Sequence, residues 1–163
     1  MSGTKMQFYR ITDEYLNFLR TIEAKVQPNY PGKDKPHVGV LLNIGLHQYY
    51  APISSYKPHK HDKIKNKTIF RLNEPKNDSK HLAVIHINNM IPIVQTEVEP
   101  MDFSTHPDKS LLEKEYRYVI KHQGAIQQQA QELYEAAKNR ESFYGRLSND
   151  FAKLEKEYRN YKK

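Results

Sequence analysis

Two strand-like runs, His37–Ile44 and Gln48–Ile53, are separated only by Gly45, Leu46 and His47. A three-residue link cannot carry a crossover, so the two runs have to pair as an antiparallel hairpin, and the glycine suits its turn. This constraint organises the rest of the chain. Gln7–Ile11 alternates polar and apolar residues and reads as a strand. Thr12 then stands as an N-cap before Asp13 and Glu14, and apolar residues at helical spacing predict a helix from Asp13 to about Lys25. Pro28, Pro31, Gly32 and Pro36 form a loop. Thr68–Leu72 and the β-branched His81–Ile87 are further strands, the second central. Pro92 limits Met90–Ile93 to an edge or bend, and Val94–Val98 is expected to close the sheet. From Asp108 the spacing turns helical, through Leu111, Leu112, Tyr116, Val119 and Ile120. After Gly124, a weak point, it resumes at Ile126, Ala130, Leu133 and Ala137. Ser148 is expected to cap a last helix bearing Phe151, Leu154, Tyr158 and Tyr161. The order predicts an α+β fold with a compact antiparallel sheet in one domain, 1–163, with Met1–Lys5 an extended or tag-derived start.

The chain has no cysteine, which excludes disulfides, a thiolate nucleophile and Cys-ligated metal. No apolar run approaches the length of a membrane span, and no charged segment leads into an apolar one near the start. The expectation is a soluble, cytoplasmic protein. Twelve Tyr and six Phe argue for a packed core despite the polar composition. The net charge of +7 is uneven: residues 1–70 carry 11 Lys/Arg against 5 Asp/Glu, whereas residues 71–163 carry 15 against 14. Lys57, Lys60, Lys63, Lys65 and Lys67 concentrate it in one loop, a field that attracts polyanions, nucleic acid foremost.

A phosphate-binding glycine loop, a nucleophile elbow and an HExxH motif are all missing from the sequence. His59 and His61 sit among lysines that repel a cation, so they read as loop histidines or phosphate contacts rather than metal ligands. Glu97 and Glu99 read as a solvated strand edge, His86 as a hydrogen-bonded core residue, and Tyr116, Tyr134, Tyr158 and Tyr161 as helix packing. The informative segment is Ala51-Pro52-Ile53-Ser54-Ser55-Tyr56-Lys57. There a strand ends in two hydroxyls and an amine, held rigidly yet exposed. Ser-Ser-x-Lys suits two chemistries: acyl transfer with Lys as base, or charge stabilisation around a phosphate. The basic surroundings favour the second. On these residues alone a non-catalytic RNA-binding or transcription-regulating module and a Ser/Lys amide or ester hydrolase stay open as alternatives.

Four segments in order resemble the ToxN/AbiQ family of type III toxin–antitoxin endoribonucleases: FYRITDEYLNFLR (Phe8–Arg20), VGVLLNIGLHQYYAPISSYK (Val38–Lys57), LAVIHINNMIPI (Leu82–Ile93) and FAKLEKEYRNY (Phe151–Tyr161). The resemblance implies a strongly bent, barrel-like sheet related to MazF/Kid-type toxins, with helices around it. It implies metal-independent, cofactor-free cleavage of RNA by 2′-hydroxyl attack, at a site of Ser54, Ser55, Lys57, Tyr15 and Lys35. Tyr56 stands where proline is usual in the family and offers a ring for base stacking. With His59, Lys60, His61, Lys63, Lys65 and Lys67 it forms the expected RNA-binding surface. The implied partner is an RNA antitoxin, a pseudoknot cut from upstream repeats, alternating with protein in a closed ring such as a heterohexamer, in a system of phage defence.

Overall fold

A computed structural model describes residues 5–162. Of the Met1–Lys5 start, only Lys5 falls within them. Seven strands and six helices follow in the order β1 (Gln7–Ile11), α1 (Asp13–Ile22), β2 (His37–Ile44), β3 (His47–Ser55), α2 (Pro58–His61), β4 (Ile69–Glu74), β5 (Asn77–His86), β6 (Ile91–Pro92), β7 (Val98–Pro100), α3 (Lys109–Lys121), α4 (Gln123–Ala137), α5 (Phe143–Leu147) and α6 (Phe151–Glu157). The strands form one sheet in the order β4-β5-β3-β2-β1-β7, with β6 on β3, and every pairing is antiparallel. The fold is α+β with a strongly bent sheet that stops short of a closed barrel, ending at β4 and β7.

The predicted hairpin is present. Gly45 takes φ +58°, a conformation glycine adopts without strain, and Ile44 pairs with His47. Along β3 the side chains alternate between two cores. Tyr49, Ala51 and Ile53 enter a cluster with Leu112, Val119, Ala130, Leu133 and Phe151 from the C-terminal helices. Tyr50 enters the other, with Tyr15, Leu16 and Leu19 of α1. Tyr50 lies flat on the β2 backbone at Gly39, where a Cβ would stand 2.2 Å from its ring. Helix α1 starts as expected, the Thr12 hydroxyl accepting from the Tyr15 amide, but it ends at Ile22.

Three expectations are corrected. Val94–Val98 is not a strand: Gln95–Glu97 form a 3₁₀ turn, and the closing strand begins at Val98 and pairs with β1. Glu97 is not solvated. It is buried and accepts from Thr12 Oγ1 (2.7 Å) and the Tyr161 hydroxyl (3.0 Å), contacts distant in sequence that outweigh the local β pattern; only Glu99 is exposed, beside Arg10. The last helix is capped by Asp150, whose carboxylate accepts from the Lys153 amide, and not by Ser148, which is fully buried. Among the described residues no helix is long and apolar enough to cross a membrane.

Candidate active site

The candidate site lies where β3 ends. Ser54 and Ser55 pair with Val84 and Ala83 of β5, so the backbone beneath both hydroxyls is fixed on a central strand. Because a strand alternates, only one of two successive serines shares a face with any given residue of β5. That one is Ser54: its Oγ lies 2.6 Å from His86 Nε2. Ser55 is exposed, and both serines border the same cleft.

His86 ends β5 and is partly buried. Burial, followed by the charges of Lys35 and His61, pulls its pKa down to about 4, so it is neutral at pH 7 and can accept a proton. Lys35, just before β2, is nearly buried; burial lowers its pKa, its ammonium donates to Gln27 Oε1 at 2.7 Å, and it lies 4.9 Å from the centre of the Tyr30 ring. Neighbouring His37 is fully buried against the Lys35 carbonyl, and desolvation holds it neutral, with a pKa of about 3.

Beyond Ser55 the chain turns into α2. The Lys57 amide donates to His61 Nδ1 (2.9 Å), and Arg71 donates to the carbonyls of His61 and Ile64 (2.7 Å each). The Lys57 side chain is left exposed on a braced backbone. Arg71 was missed in the sequence because its partners are carbonyls, which leave no trace in residue types.

The structure brings Ser54, Ser55, Lys57 and Lys35 to one region and adds His86. It does not bring Tyr15 there: that side chain is fully buried, with its hydroxyl donating to the Pro92 carbonyl at 2.6 Å. The expected RNA-binding surface divides. His59, Lys60, Lys63 and Lys65 are exposed. His61 is buried, Lys67 pairs with Glu132 at 3.2 Å, and the Tyr56 ring is tilted against His61 and His81 with its hydroxyl on Asp62.

Beside the two serines opens a cleft of about 450 Å³ whose lining includes Ile53, Met101, Leu111, Leu112, Tyr30, Lys33 and Glu115. Glu115 lies on the buried stripe of α3, between Leu112 and Val119, where the spacing calls for an apolar residue. That polar intrusion was legible in the sequence, and it marks the cleft. Burial, then the nearby Asp108 carboxylate, push its pKa up to about 7.

A family model described as "Toxin ToxN, type III toxin-antitoxin system" matches residues 7–159. The chain is 30% identical to endoribonuclease AbiQ of Lactococcus lactis subsp. lactis, over 97% of this chain and 90% of that protein. It is 28% identical to endoribonuclease ToxN of Pectobacterium atrosepticum, over 97% and 95% respectively. The fold superposes with a TM-score of 0.89 on AbiQ, a lactococcal anti-phage endoribonuclease of a type III toxin–antitoxin system, at 29% identity and covering 97% of this chain and 98% of that one. A second solved structure, from work on selective toxin inhibition by a non-coding RNA pseudoknot, gives a TM-score of 0.83 at 26% identity, covering 97% and 98%.

Proposed function

The chain belongs to the ToxN family of type III toxin–antitoxin toxins and is an endoribonuclease, and from that premise we propose that it cuts RNA without a metal, using the substrate's own 2′-hydroxyl as nucleophile. The contact between Ser54 Oγ and His86 Nε2 carries this reading. Neutral His86, directly or through Ser54, takes the proton of the 2′-hydroxyl as its oxygen bonds to phosphorus. The bond from phosphorus to the 5′-oxygen then breaks, and that oxygen takes a proton from Lys57. The products are a 2′,3′-cyclic phosphate and a 5′-hydroxyl, and solvent restores both side chains. Lys57 and Lys35 offset the charge that builds on the phosphorane, and Ser55 donates to a non-bridging oxygen. Dependence on the 2′-hydroxyl restricts cutting to RNA. Tyr15 acts through packing and touches no substrate.

RNA cleavage is expected to persist in excess EDTA and to leave 5′-hydroxyl ends that polynucleotide kinase labels without phosphatase treatment. Loss in EDTA with recovery on adding magnesium overturns the mechanism.

The regulating partner in this reading is a pseudoknotted RNA cut from upstream repeats. It is held along His59, Lys60, Lys63 and Lys65 and into the site, and it alternates with protein in a closed ring such as a heterohexamer, in the cytoplasm, as part of phage defence. The exposed lysines and the named activities of the relatives support this. Expressed with its repeats, the protein is expected to purify with strong 260 nm absorbance, at a mass of several protein copies plus RNA. A nucleic-acid-free complex with a small acidic protein overturns this assignment.

A further inference from the structure

We propose that the cleft beside Ser54 and Ser55 is a nucleobase subsite, in which Glu115 selects a base bearing an exocyclic amine next to the scissile phosphate. The inference rests on the reading of β3's end as the cleavage site and extends it from the phosphate to the base.

Glu115 is 5% exposed, and among the described residues it forms no hydrogen bond or ion pair, although it lines an open cleft. Its carboxyl oxygens are not sealed from the cleft, since among the described residues Ser148 Oγ is the only buried side-chain polar atom without a partner; a donor that enters the cleft can therefore reach them. The cleft limits what the visitor can be. Its walls are apolar at Ile53, Leu111 and Leu112, and its volume of about 450 Å³ accommodates a nucleoside. Asp34, Asp102, Asp108 and Glu115 outnumber Arg10 and Lys33 around the cleft, a balance that disfavours a phosphate. A nucleobase is flat and uncharged, and it arrives tethered to the phosphate that the serines and lysines take.

The carboxylate then distinguishes among bases by their edges. Adenine, cytosine and guanine each present an amino group that donates to a carboxylate oxygen. Uracil presents carbonyl oxygens where the amine would stand, and these face the ionised carboxylate unfavourably, so the preference is strongest above the Glu115 pKa of about 7, and the oligomers are compared at pH 8. A site that hydrogen-bonds a substrate donor rejects an analogue lacking it, because its own buried acceptor is then left unpaired.

The test uses RNA oligomers identical except for A, C, G or U at the two nucleotides adjoining the cut. Cleavage is followed as kcat/KM, and affinity is measured on the same oligomers carrying a 2′-deoxy sugar at the cut. The wild-type protein is expected to disfavour uracil at one of the two positions by about tenfold in both measurements, the worth of one hydrogen bond to a charged group. Glu115→Leu, which completes the apolar stripe of α3, is expected to bring the four bases within about twofold of one another. Glu115→Gln, which keeps an acceptor, is expected to retain part of the preference. Both variants are expected to melt no lower than wild type at pH 8, since each removes a carboxyl that burial makes costly to ionise. Equal use of all four bases by the wild type overturns the proposal. So does a Glu115→Leu variant that keeps the preference, or one that lowers all four substrates by a common factor. Base preference in binding without any cleavage would instead retain the subsite and overturn the mechanism proposed for the serines and Lys57.

Discussion

Lys57→Ala is expected to slow RNA cleavage by about 10²–10³, the usual worth of one charge-stabilising donor in a transition state, and to leave the melting temperature close to wild type. The two halves of this expectation have separate causes. The ammonium is exposed, so its removal opens no cavity. The backbone that aims it is held by groups other than the amine: the Lys57 amide on His61 Nδ1, the His61 amide on the Lys57 carbonyl, and Arg71 on two further carbonyls. Ser55→Ala, also exposed, is expected to behave alike, whereas His59→Ala is expected to stay within a few-fold of wild type. Single-turnover cleavage of a labelled RNA, with thermal melts of each variant, reads both effects. Full activity in Lys57→Ala and loss in His59→Ala would move the site away from the end of β3.

Tyr15→Ala is expected to destabilise the fold by about 3–5 kcal/mol, the cost of emptying a large core position. That is a large share of the roughly 5–15 kcal/mol that holds a domain of this kind together. The ring is fully buried among Leu16, Leu19 and Leu154 and meets Tyr161 edge-on at 5.2 Å. Tyr15→Phe keeps the ring and loses the bond to the Pro92 carbonyl, for about 1–3 kcal/mol, with cleavage unchanged in the folded fraction. Urea titration measures the first quantity and initial rates the second. A Phe variant that melts normally and cuts a hundredfold more slowly would return Tyr15 to the reaction.

What could be read in the sequence was local. The hairpin was set by a short link, two residues once His47 joins β3, the start of α1 by Thr12 ahead of two acids, and the strand end by hydroxyls and an amine following Ile53. What could not be read depends on register across the sheet. His86 looks like any polar residue on an apolar strand, and only the pairing of Ser54 with Val84 shows that it shares a face with a serine 32 residues earlier. The lysine-rich loop read as one continuous surface, yet Lys67 pairs with α4 and His61 turns inward as an acceptor for a backbone amide. Glu97 looked like half of a solvated edge because Thr12 and Tyr161, which enclose it, come from opposite ends of the chain. Glu115 is different in kind: its position on an apolar stripe is visible in the sequence, but the cleft that gives it meaning requires β3 and α3 together.

Strand β3, which carries both serines, is enclosed by β2 along one side and by β6 and then β5 along the other. Segments tied in this way open only when the whole molecule does. The end that carries the serines lies beyond the last β2 pair, at Pro52, and is held by β5 along one side, with the Tyr56 amide continuing the ladder onto the Leu82 carbonyl. In the proposed reading, the RNA partner acts by covering this end of the strand. On that reading, latency lasts as long as the RNA stays bound, and a faster-dissociating RNA shortens it in proportion.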